Sequence, residues 1–240
     1  MSTIPLARRA TAELIGTALL LSAVVGSGIM GERLAGGNVA VALLANSIAT
    51  GAALVALILT FGPISGAHFN PAVSAVSVSQ GALSMLEFAV YVAAQLSGAF
   101  LGVACANVMF GEPLFAWSQH VRAGLPQGLS EVVATFGLLA VIVSCARHRA
   151  DAVPVAVGSY IAAAYWFTAS TSFANPAVTL ARMATNTFAG IRPYDVPPFL
   201  VAQVIGAVLA AAVFRWLLAP IPSPALNDRP STESESEVLA

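Results

Sequence analysis

The sequence predicts an all-α membrane protein of six transmembrane helices and two shorter re-entrant helices, built from one three-span unit written twice in inverted orientation. Three observations carry this prediction. Only 9% of the 240 residues are charged while 58% are hydrophobic, too little polar surface for a water-soluble domain. Apolar runs close to the about 18 to 20 residues needed to cross a bilayer recur along the chain. The tetrapeptide Asn-Pro-Ala-Val also stands twice, at residues 70–73 and 175–178.

Taken in order, the spans cover residues 10–29, 38–61, 84–110, 129–146, 152–170 and 196–218. The first lies behind Arg8 and Arg9 and resembles a signal peptide, but the spans that follow make it a first transmembrane helix. Two apolar segments are left over, 65–80 and 171–187. Each carries one Asn-Pro-Ala copy and is too short to cross about 30 Å of hydrocarbon as a helix, so both read as re-entrant. One follows an even-numbered span and the other an odd-numbered one, so they enter from opposite faces. The membrane domain is thus 10–218, with one repeat over about 10–110 and the second over about 129–218. Residues 1–9 precede it, and 219–240 form a polar, acidic tail expected to have no fold of its own. Arg8, Arg9, Arg147, Arg149 and Arg215 fall on one side against Arg33, Arg122 and Arg192 on the other. By the positive-inside bias both termini are expected in the cytoplasm.

The repeat is legible in paired residues. Glu13 in AELIGTALLL matches Glu131 in SEVVATFGLLA, Asn70 matches Asn175, and Gln95 in AAQLSGAFLG matches Gln203 in VAQVIGAVLA. Because three spans is an odd number, the second unit is inverted, the architecture in which paired broken segments meet near the bilayer midplane. Asn before Pro is a strong helix start: the Asn side chain caps exposed N–H groups, and Pro at the first helical position forfeits no needed donor. Two half-helices beginning at Asn70-Pro71-Ala72 and Asn175-Pro176-Ala177 would abut at their N-termini. Each end is equivalent to about +0.5 elementary charge, which repels cations. The carbonyls before each Asn cannot face lipid and so must line a water-filled path. Such a path admits a neutral, oxygen-bearing solute and opposes a proton.

Other polar residues fit this frame. Glu13 and Glu131 lie within spans, where a carboxylate must be hydrogen-bonded, and are expected to hold half-helix or loop backbone; proton relay is the alternative. Gln95 and Gln203 read as interhelical hydrogen bonders, and Gly98 with Gly102, matched by Gly206 and Ala210, as close-packing surfaces. His68, two residues before Asn70, is expected to line the pore, either as a static residue or as a pH gate. Cys105 and Cys145 read as buried small hydrophobes. No phosphate-cradling glycine loop, metal-spaced His and carboxylate cluster or nucleophile elbow is present, so no enzyme, cofactor, metal site or nucleic-acid partner is expected.

Two Asn-Pro-Ala motifs, the inverted repeat, SGAHFNPAV and the paired Glu-containing first helices together resemble the major intrinsic protein family, the aquaporins and aquaglyceroporins, over residues 10–218. The resemblance implies a right-handed bundle, one pore per protomer, a homotetramer in the plasma (inner) membrane, and small neutral solutes as cargo. It also implies a narrow outer filter, placed by counting from the two Asn residues at Thr50, Ala163, Ser172 and Val178. In most of the family the position of Val178 is arginine, and two others are commonly aromatic or histidine. The substitution removes five donors and a fixed charge, so the filter is expected to be wide and weakly polar. That pattern is similar to bacterial members found with arsenic-resistance genes, which implies polyols or metalloid hydroxides such as arsenite. Arg182 lies one helical turn beyond Val178. It either replaces part of the missing charge at the mouth or binds loop carbonyls. The competing class is an ion-coupled transporter, which shares inverted repeats and broken helices but needs a charged coupling site.

Overall fold

The computed structural model describes residues 4–219 of the chain. Eight α-helices follow one another among them: α1 (Leu6–Leu34), α2 (Val39–Ser65), α3 (Pro71–Ser79), α4 (Met85–Met109), α5 (Leu125–His148), α6 (Val153–Phe167), α7 (Pro176–Arg182) and α8 (Val196–Leu217). The expected tail lies outside the described residues except for Ala219. The expected N-terminal segment is helical from Leu6, so α1 reaches further than the apolar run suggested.

The caps explain where several helices begin. Asn38 accepts from Ala40 N and Val41 N to start α2. Ser84 and Glu87 form a reciprocal capping box at α4. Pro126 lies in the first turn of α5, which starts four residues before the expected 129. Five helices are long and apolar enough to cross a membrane. The sixth crossing position is held by α6, 15 residues long and preceded by a short 3-10 turn over Ala150–Ala152. It stops at Thr168, whose backbone is extended, so it is shorter than the expected 152–170.

The inverted repeat appears as matched packing. Helix α1 packs on α4 and α2, as α5 packs on α8 and α6, and α2 meets α6 where the halves join. Each half-helix leans on both halves: α3 on α4 and α8, α7 on α4 and α8. Glycines set the crossings. A Cβ on Gly98 would collide with the Leu14 carbonyl, one on Gly206 would lie 2.6 Å from Val132 O, and one on Gly51 would lie 2.8 Å from Gly158 O. Gly51→Ala should therefore push α2 off α6, costing about 1 to 3 kcal/mol, read as a lower unfolding temperature in detergent than wild type. Outward faces carry exposed Leu19, Ile48, Leu101, Val133 and Val208, as contact with lipid requires. Cys105 is on such a face and is exposed, not buried as expected, and Cys145 is half-buried.

Arg9 pairs with Glu87 at 2.5 Å at one end of the bundle, and Arg33 pairs with Glu112 at 2.8 Å at the other. The arginines on either side of each span are thus separated by the length of α1 and α4.

Candidate functional site

A continuous cavity of about 1050 Å³ runs along the bundle axis, from Arg147 and Arg215 at one mouth, past Asn70 and Asn175, to Thr50, Ser172, Val178 and Arg182. Its centre is made by the half-helix starts. Asn70 Oδ1 accepts from Ala72 N at 2.9 Å, and Asn175 Oδ1 accepts from Ala177 N at 3.0 Å and Val178 N at 3.3 Å. Pro71 and Pro176 follow as first helical residues. The amide nitrogens then cross over: Asn70 Nδ2 donates to Ala174 O and Asn175 Nδ2 to Phe69 O, both at 2.8 Å. Each amide has two hydrogens, so one remains for the cavity that both residues line. A solute oxygen can accept there. A cation meets two half-helix N-termini, with the Oδ1 atom of each Asn already turned to backbone N–H groups.

The backbone leading into each Asn is bent into the left-handed region. Ala67 and Phe69 have φ of 50° and 49°, and Ser172 and Ala174 of 50° and 48°. Left-handed non-glycine residues cost about 1 kcal/mol or more each, so something must hold them. Two buried carboxylates do. Glu13 accepts from His68 N at 2.9 Å, Phe69 N at 2.7 Å, Ser65 Oγ at 2.6 Å and Gln95 Nε2 at 2.8 Å. Glu131 accepts from Phe173 N at 2.8 Å, Ala174 N at 2.9 Å and Gln203 Nε2 at 2.7 Å. The two Gln amides also reach the half-helices, through Ser74 Oγ at 3.0 Å and Thr179 Oγ1 at 2.8 Å. One device is built twice, once per repeat.

His68 lines the cavity below Asn70, with Nδ1 3.0 Å from Ser74 Oγ and its ring edge-on to Tyr91 at 5.4 Å. At the far end Thr50, Ser172 and Val178 line the cavity together. Ala163 does not: it is exposed, and α6 instead presents Val157, Ile161 and Tyr165. Ala163 is two residues from both Ile161 and Tyr165, about 200° around the helix. Counting back from Asn175 crossed the loop at Thr168–Phe173, whose length the helical period does not control. Tyr165 is the α6 residue that reaches Thr50, and its hydroxyl donates to Thr50 Oγ1 at 3.3 Å. The i, i+4 stripe Val157, Ile161, Tyr165 was the signal that could have found it.

Arg182 is 2% exposed and lines the cavity. Its Nε donates to Ala189 O, and its guanidinium lies 3.5 Å from the Phe173 ring centroid. Among the described residues its Nη groups have no protein acceptor. Behind Phe173, at 5.0 Å, sits a second buried cation, Arg122, which the sequence reading assigned to a side of the membrane but not to the site. It donates to Gly190 O at 2.9 Å and Ser170 O at 3.3 Å, bracing the loop before Asn175. Burial pushes its guanidinium down to about 10, which leaves it charged at neutral pH. Ser172 Oγ is buried without a partner.

Comparison with known proteins agrees with this geometry. The family model described as major intrinsic protein matches residues 1–172 and 148–237. An aquaglyceroporin, AqpS, of Rhizobium meliloti (strain 1021) is 56% identical over 92% of this chain and 94% of its own length. A probable aquaporin, AqpM, of Archaeoglobus fulgidus is 30% identical over 90% of this chain and 98% of its own. The crystal structure of the aquaglyceroporin from Plasmodium falciparum superposes with a TM-score of 0.74 at 24% identity, covering 90% of this chain and 98% of that one, a likeness of fold. With two half-helices meeting at Asn70 and Asn175 and a family match along almost all of its length, the chain belongs to the major intrinsic protein family.

Proposed function

We propose that this protein is a passive channel for small uncharged solutes larger than water, with glycerol-like polyols and metalloid hydroxides such as arsenite as its cargo. The observation that carries the reading is Val178 in the filter: an apolar side chain lines the cavity beside Thr50 and Ser172. Its likeness to an aquaglyceroporin along 92% of the chain supports the solute class. The coupled-transporter reading finds no support, because Glu13 and Glu131 are fully engaged in holding backbone. The protein is a channel and not an enzyme. Arg182 supplies part of the positive charge and the donors that Val178 lacks, set back against Phe173. The family implies a homotetramer, and the arginine split favours an inner membrane with both termini in the cytoplasm.

A proteoliposome panel of water, glycerol and arsenite, run with and without an imposed proton gradient, tests this. Glycerol and arsenite are expected to equilibrate and never to accumulate. Arg182→Met should raise proton leak while glycerol still passes. Uphill accumulation, or flux of water alone, would sink the reading.

A further inference from the structure

We propose that the Thr50 and Arg182 end of the cavity binds a small univalent oxyanion on the free Nη groups of Arg182, where it acts as a reversible plug. The plugging rests on the conduction path proposed above; the binding does not. Arg182 is 2% exposed, lines the cavity and engages the protein only through Nε, which donates to Ala189 O. Among the described residues no carboxylate pairs with its guanidinium or with that of Arg122. The acids of this end are engaged elsewhere. Asp195 accepts from Arg192 Nη2 and from Arg122 N, and Glu112 accepts from Arg33. Glu131, whose charge reaches both guanidiniums, already accepts from Phe173 N, Ala174 N and Gln203 Nε2. Glu32 is exposed near the end of α1 and makes no ion pair among the described residues.

Two guanidiniums therefore share one ring without a counter-ion, Arg182 at 3.5 Å and Arg122 at 5.0 Å from the centroid of Phe173. Buried charge left unpaired is costly, and an anion entering the cavity relieves it. The planar guanidinium offers two parallel N–H donors that match two oxygens of an oxyanion, a geometry a spherical halide cannot exploit. Further along the cavity, one and two turns from Thr50 and Tyr165, the walls are Leu54 and Ile58 of α2 and Ile161 and Val157 of α6. These strip water from an ion without replacing it, so the anion stops at Arg182 while a neutral solute continues. His120, in the loop between α4 and α5, reports on the site. Partial burial of its ring, and then the positive charges of Arg122 and Arg182, hold its imidazole below the ordinary histidine range. An anion on Arg182 cancels part of that positive field, so the His120 midpoint rises.

The test exchanges chloride for nitrate at constant ionic strength, which leaves screening unchanged. The chain has three histidines, so NMR of the protein in detergent follows each through pH, with His120→Asn assigning its signal. In nitrate the His120 midpoint should lie higher than in chloride. Arg182→Met and Arg182→Lys should both abolish that difference, the first by removing the charge and the second by removing the fork that prefers an oxyanion. In proteoliposomes glycerol flux in nitrate should be about half that in chloride, the loss for a site half filled, and the ratio should return to about 1 in Arg182→Met. A His120 midpoint equal in the two salts overturns the site. So does a rise that persists in both Arg182 variants, which would put nitrate elsewhere. A raised midpoint with equal glycerol flux in the two salts overturns the plug. A raised midpoint in protein that passes no glycerol in either salt faults the conduction reading instead.

Discussion

Val178→Arg is expected to cut glycerol flux in proteoliposomes by at least about tenfold, an added barrier of about 1.4 kcal/mol, while water flux changes far less. The valine lines the cavity together with Thr50 and Ser172. Its backbone nitrogen is fixed by Asn175 Oδ1 at 3.3 Å, so a longer side chain there has little freedom to withdraw. A guanidinium narrows the lumen and brings five donors to a filter whose free polar group is Ser172 Oγ. It also stands one turn from Arg182, and like charges at that spacing repel by a few tenths of a kcal/mol. Stopped-flow light scattering on wild type and variant in the same lipid measures both solutes. Equal loss of water and glycerol, or no change in either, would place the filter elsewhere.

The second large effect is expected at Glu131. Glu131→Gln replaces one carboxylate oxygen with an amide that donates, yet all three groups around it, Phe173 N, Ala174 N and Gln203 Nε2, are donors already. At least one hydrogen bond to a charged acceptor is lost and a donor is buried against a donor, about 3 kcal/mol or more in all. The left-handed backbone at Ser172 and Ala174 loses its anchor in the same step. The variant should unfold at a markedly lower temperature in detergent and show little glycerol flux. Glu13→Gln should behave alike, because Glu13 makes the corresponding bonds to His68 N and Phe69 N. A coupled transporter predicts another pattern, with stability kept and only uphill transport lost. Unchanged stability together with unchanged flux would show that the carboxylates do not hold the loops.

Most of the fold was legible because membrane spans obey a length rule and because the repeat put identical residues in corresponding places. Asn70 and Asn175, Glu13 and Glu131, Gln95 and Gln203 all fall on matched elements. What was not legible depended on loops. That Tyr165 and not Ala163 lines the cavity was hidden because the stretch from Thr168 to Phe173 follows no helical period. Arg122 was assigned a side of the membrane but no place in the site, because its contacts, Gly190 O and Ser170 O, lie 48 residues or more along the chain. Cys105 was expected to be buried on hydrophobicity alone, a property that in lipid does not distinguish inside from outside.

The central claim is that two half-helix starts and a far end lined by Val178, with Arg182 set back behind it, pass neutral solutes and refuse protons. The most direct measurement follows glycerol and protons in the same vesicles, with light scattering for the first and an entrapped pH dye for the second. The account predicts glycerol relaxation much faster than in protein-free vesicles, with a proton leak no greater than theirs. A proton leak that rises with the amount of protein, or glycerol relaxation no faster than lipid alone, would contradict it.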